Sequence, residues 1–81
     1  MHEMGIAKDL IEAVRKELSG KKETGRVMKI YVRLGENTIE TRQSLMFWFE
    51  NLSQGTELEG AILDFSPGVG NSIVVDSVEV E

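Results

Sequence analysis

Apolar residues return at helical spacing along the first stretch of the chain. In GIAKDLIEAVRKELSG, residues Ile6, Leu10, Ile11, Val14 and Leu18 are separated by four, one, three and four positions. That spacing gathers them into one stripe of an amphipathic helix. Lys8, Asp9, Glu12, Arg15 and Lys16 fill the other face, with Glu12 and Lys16 one helical turn apart. Gly20 supplies a stop, and Lys21 and Lys22 follow beside the negative end of the helix dipole. The period then changes to two. In RVMKIYVRLG, residues Met28, Ile30, Val32 and Leu34 alternate with Lys29, Tyr31 and Arg33. This predicts a strand with one apolar face, ended by Gly35.

Helical spacing resumes in TRQSLMFWFENLSQG, where Leu45, Trp48, Phe49 and Leu52 form the stripe. Thr41 or Thr38 is placed to cap its start. Met46 and Phe47 lie off that stripe. Either the helix buries a wide arc, or these two side chains form a partner-binding patch. Two more strands follow, GAILDF and SIVVDSVEVE. In the second, Ile73, Val75, Ser77 and Glu79 share one face, and Val74, Asp76, Val78 and Val80 share a mostly apolar one. Between them, SPGVGN carries Pro and Gly turn chemistry, which predicts a hairpin with a short loop near 66–72. GKKETG reads as a solvated loop.

The expected fold is α+β in two layers. A mixed three-stranded sheet carries two helices on one face, in the order α-β-α-β-β, as a single domain over residues 1–81. The strand order within the sheet is left open.

Composition narrows the function. A chain of 81 residues makes one small domain with a limited core. With no cysteine there is no disulfide, no thiolate zinc site and no cysteine nucleophile. No apolar run approaches the roughly 20 residues that span a bilayer. The N-terminus lacks a basic-then-apolar leader, so the expected compartment is the cytoplasm. Fourteen acidic residues against nine basic ones give a net charge of −5. That balance opposes binding to nucleic-acid phosphates and suits a cation or a basic protein surface. An enzyme is not expected. The sole histidine, His2, sits at the chain end, and the GVG of the hairpin loop is not followed by a helix as a phosphate loop would be.

The terminal Met1-His2-Glu3 offers a different chemistry. The α-amine of Met1, the amide nitrogen and ring nitrogen of His2, and the amide nitrogen of Glu3 lie within a few bonds. With the amides deprotonated, they form fused five- and six-membered chelate rings that favour square-planar Ni(II) or Cu(II). The Glu3 side chain adds a local negative charge or a hydrogen bond to the imidazole.

The order of segments resembles the HypA family of nickel metallochaperones. MHEMGIAKDLIEAV matches the family's N-terminal pattern. IYVRLGE, SLMFWFE (with Phe47 and Phe49), GTELEGAIL and VVDSVEVE follow in the family's order. The resemblance implies Ni(II) bound through Met1, His2 and Glu3 and delivered during [NiFe]-hydrogenase maturation. It also implies a HypB-type GTPase and a hydrogenase precursor as partners, with the GTPase meeting the nickel-binding domain. The expected surface is the exposed part of the first helix with residues near Met46 and Phe47. One departure is large. The family inserts a zinc module with two CxxC pairs between its last two strands, whereas FSPGVGNS spans that place here. Structural zinc is therefore not expected. The alternative is an adaptor or regulatory domain that keeps only the partner surface. A short hairpin loop also leaves room for strand exchange into a homodimer.

Overall fold

The computed structural model describes residues 3–20, 25–36 and 41–81. The chain forms α1 (Glu3–Gly20), β1 (Val27–Gly35), α2 (Arg42–Leu52), β2 (Ile62–Gly68) and β3 (Ile73–Val80), the expected order of elements. Helix α1 starts three residues before Ile6, the first residue of the apolar stripe, so it takes in Glu3. Thr41 precedes α2 without a side-chain capping hydrogen bond. Thr38, Lys21 and Lys22 lie outside the described residues.

The sheet order is β2-β1-β3. β1 pairs with β2 in parallel and with β3 antiparallel. The expected hairpin between the last two strands is therefore corrected: β2 and β3 are separated by β1. Residues 69–72 must cross the end of β1, a span of about two strand spacings, or roughly 10 Å. Backbone contacts hold the crossing. The Gly35 amide donates to the Ser72 carbonyl at 2.8 Å. The Gly70 amide donates to Glu36 Oε1 at 3.1 Å, and the Ser72 hydroxyl donates to the Val69 carbonyl at 2.7 Å. Gly70 has a φ of +61°, which an L side chain rarely adopts.

The core lies between the sheet and the two helices. From α1 come Ala7, Leu10, Ile11, Val14 and Leu18; from α2 come Leu45 and Phe49. These meet Val27, Ile30 and Val32 of β1, Leu63 of β2 and the loop residue Leu58. Full burial of a side chain such as Ile30 or Leu45 contributes about 1.5–3 kcal/mol.

Two corrections concern which side chains face this core. Both come from bulges that reset the strand period. Val27 pairs with Val80 and Lys29 with Glu79, so Met28 is an extra residue on β1. Val27 is thereby turned inward and Met28 outward, at 51% exposure, against the sequence expectation. On β3, Tyr31 pairs with Ser77 and Val32 with Val75, leaving Asp76 extra. Ile73, Val75, Val78 and Val80 therefore all pack against the core, although they straddle the two faces assigned by simple alternation. Met28→Lys should accordingly shift stability by no more than about 0.5 kcal/mol in urea denaturation. A loss above about 2 kcal/mol would place Met28 in the core instead.

The segment between α2 and β2 is a tight plug. Ser53 is buried, and its carbonyl accepts from the Thr56 hydroxyl at 2.6 Å and the Thr56 amide at 3.0 Å. The same hydroxyl accepts from the Leu58 amide at 3.1 Å, which fixes Leu58 in the core. The GTELEG stretch thus reads as turn chemistry around one buried leucine.

Candidate metal-binding terminus and partner face

The C-terminal half of α1 lies against residues 75–80 of β3, whose end pairs with the start of β1. With a length of roughly 27 Å, α1 runs back from there along the sheet. Glu3 is its first residue, at the end away from this contact. Met1 and His2 lie outside the described residues, as does the side chain of Glu3. Among the described residues no group of three or more His, Cys, Asp or Glu side chains is placed to hold a metal ion. The backbone supplies one relevant fact. Glu3 occupies the first turn of α1, where amides have no intrahelical acceptor.

The outer face of the sheet carries paired charges. Arg33 Nε donates to both carboxylate oxygens of Asp76, at 3.0 and 2.9 Å, and Nη2 donates to Oδ1 at 2.6 Å. The Tyr31 hydroxyl donates to the Glu79 carboxylate. Lys29 lies 3.7 Å from Asp64 and 5.5 Å from the centre of the Tyr31 ring. Hydrogen bonds from Arg33 hold the Asp76 carboxyl below its ordinary value of 3.8, against an opposing desolvation and with help from the Arg33 charge. The bond to Glu79, followed by desolvation and the nearby Glu79 and Asp64 charges, raises the Tyr31 hydroxyl above 10.0. These pairs join β1 to its neighbours.

The signs differ for the two groups. Asp76 is depressed, so its contribution is complete above pH 3.8 and is lost as pH falls through the lower folded value. Tyr31 is raised, so its contribution is complete below pH 10.0 and is lost as pH rises through the higher folded value. Thermal melts of the parent and Asp76→Asn from about pH 6 to about pH 2 should therefore show a gap in midpoint that closes only in the acid limb. A gap unchanged across that range would contradict the assignment.

The partner face is where the helix pattern left a choice. Met46 is 46% exposed and Phe47 56% exposed, so α2 does not bury a wide arc. Its buried stripe is narrower than expected: Leu45 and Phe49 are buried, Trp48 is half-buried and Leu52 is exposed. The Phe47 ring meets Trp48 edge to face, with centroids 5.1 Å apart. Beside them, a half-open groove runs between α2 and β2, floored by Phe49 and Leu63 and rimmed by Met46, Phe47 and Ile62. Ile62 is 60% exposed. The sequence reading passed over it, although strand parity was a signal: with Leu63 and Phe65 inward, Ile62 and Asp64 must point outward.

Comparison with known proteins settles the family. Residues 1–72 match the family model described as hydrogenase/urease nickel incorporation, metallochaperone, hypA. The chain belongs to the HypA family. Proteins named hydrogenase maturation factor HypA share this similarity. The one from Roseiflexus sp. (strain RS-1) is 41% identical over 64 residues, 79% of this chain and 51% of that protein. The HypA of Methanopyrus kandleri is 36% identical over 61 residues, 75% of this chain and 42% of that protein. The HypA of Lawsonia intracellularis is 36% identical over 64 residues, 79% of this chain and 53% of that protein. The matched region thus spans about half the length of these curated HypA relatives. The family match ends before β3, so the likeness of VVDSVEVE to the family's final strand rests on the resemblance alone. No helix among the described residues is long and apolar enough to cross a membrane.

Proposed function

We propose that this chain carries Ni(II) on its N-terminal Met1-His2-Glu3 and hands it on in the cytoplasm during [NiFe]-hydrogenase maturation. The observation that carries the reading is a nickel-incorporation family match that includes Met1, His2 and Glu3 and runs directly into α1. Met1 contributes the α-amine, His2 its amide and imidazole nitrogens, and Glu3 its amide nitrogen. Two features of α1 favour this set. The Glu3 amide is not committed to the helix ladder. The positive end of the helix dipole also favours the deprotonated amides that the complex needs. Ni(II) here is cargo, so an exposed chain end suits release to an acceptor.

Under this proposal, residues 69–72 stand where the family inserts its zinc module, and no structural zinc is held. The partners are a HypB-type GTPase and the hydrogenase precursor, met through Met46 and Phe47. A second reading, a metal-free adaptor, is favoured by one observation: the exposed patch of Met46, Phe47 and Ile62 includes none of the proposed nickel ligands and needs no metal. Calorimetric titration of the untagged chain with Ni(II) separates the two. The carrier reading expects saturable binding of one ion per chain. The adaptor reading expects no saturable binding, together with capture of the GTPase that His2→Ala leaves unchanged.

A further inference from the structure

The sheet has two edges, and they are protected unequally. β3 carries a bulge at Asp76 and the carboxylates of Asp76 and Glu79, devices that discourage pairing with another strand. β2 is different. Among the described residues it pairs only with β1, so one side of its backbone from Ile62 to Ser66 has no strand beside it. Pro67 closes the far end, which leaves a segment of strand length free. The groove rimmed by Met46, Phe47 and Ile62 opens beside the start of this segment, at Ile62 and Leu63. An open backbone edge beside an apolar groove is the arrangement that accepts an added strand, with alternate side chains entering the groove.

We propose that β2 accepts an extended, basic segment of another protein as a fourth strand. The inference rests on the reading of Met46 and Phe47 as a partner surface and adds how that surface binds and what it selects. Charge selects the occupant. Glu50 is the one charged residue lining the groove, and no described cation pairs with it. Asp64, on β2 itself, is already paired with Lys29 at 3.7 Å and leaves Glu50 as the groove's uncompensated charge. A second copy of this chain would bring another net charge of −5 against the first. Like charges placed across a strand pair oppose it. A segment alternating apolar residues with Lys or Arg satisfies both groove and rim.

The test uses two blocked octapeptides as probes, one alternating valine with lysine and one alternating valine with glutamate. Each is titrated into the isotope-labelled protein and followed by NMR and amide hydrogen exchange. The valine–lysine peptide should shift the Met46 methyl and Phe47 ring signals. It should also slow exchange at the alternate Ile62–Ser66 amides that β1 leaves unpaired, by at least about tenfold at saturation. The valine–glutamate peptide should do neither. Phe47→Ser, which alters an exposed side chain, should weaken binding by about tenfold or more. Glu50→Lys should reverse the preference between the peptides. Shifts at Met46 and Phe47 without slowed β2 amides would overturn strand addition while leaving the patch as a contact surface. No response to either peptide would overturn both. Equal responses would overturn the charge selection. Slowing that needs no peptide and rises with protein concentration would assign the edge to a second copy.

Discussion

Gly35→Ala should lower stability by on the order of 4 kcal/mol, a loss of the size reserved for backbone clashes and core disruption. A Cβ at position 35 would stand 2.1 Å from the Gly70 carbonyl oxygen and 2.7 Å from that of Val69. Those atoms are backbone, so no side-chain rotation relieves the overlap. The crossing would have to lift away from β1 and break the 2.8 Å bond from the Gly35 amide to Ser72. Gly70→Ala is the informative companion. Its Cβ meets open space, but its φ of +61° is unfavourable for alanine. That strain should cost only about 1–2 kcal/mol. Urea denaturation of both variants checks the order. If Gly35→Ala were the milder of the two, the crossing would not be pressed against the end of β1. The consequence reaches function, because this crossing takes the place at which the family's zinc module is proposed to be inserted.

Much of this fold was legible because its periods are clean. Ile6, Leu10, Ile11, Val14 and Leu18 share a stripe, and the four that are buried, from Leu10 to Leu18, sit where the spacing put them. Ala7 is fully buried as well, but one small side chain adds little to a hydrophobic pattern. Met28 was misplaced because a bulge is a property of two strands, and alternation within one strand cannot reveal it. Asp76 misled in the same way on β3. The separation of β2 from β3 was hidden for a different reason. SPGVGN has the chemistry of a tight turn, and Gly68 and Gly70 serve equally well in a loop that steps over a strand end. Only the parallel pairing of β1 with β2 shows which strand fills the middle. On α2, Met46 and Phe47 stood off the stripe in the sequence, but the helix could not say whether a neighbour covered them. The terminus was the reverse case. The proposal of Met1, His2 and Glu3 as nickel ligands rests on their covalent connectivity and the family match, not on any tertiary contact.

Loss of nickel binding on altering that terminus is the second large effect. His2→Ala removes the imidazole and its six-membered chelate ring while leaving the amine and amides in place. Affinity for Ni(II) should fall by on the order of a hundredfold, about 2.7 kcal/mol. Binding should also strengthen as pH rises, because the amine, the imidazole and the amides must each lose a proton to coordinate. Blocking the terminus by Nα-acetylation removes the amine donor and its charge without touching any side chain. It should match or exceed the effect of His2→Ala. Neither change touches the core or the β2 edge, so thermal stability without nickel and peptide binding at β2 should stay as in the parent.

The most direct measurement is the visible d–d spectrum of the Ni(II)-loaded, untagged chain beside its Nα-acetylated form. A square-planar set of terminal nitrogens predicts a d–d band in the free-amine protein that acetylation abolishes. The same band in both forms, or no band in either, would contradict nickel carriage by Met1, His2 and Glu3.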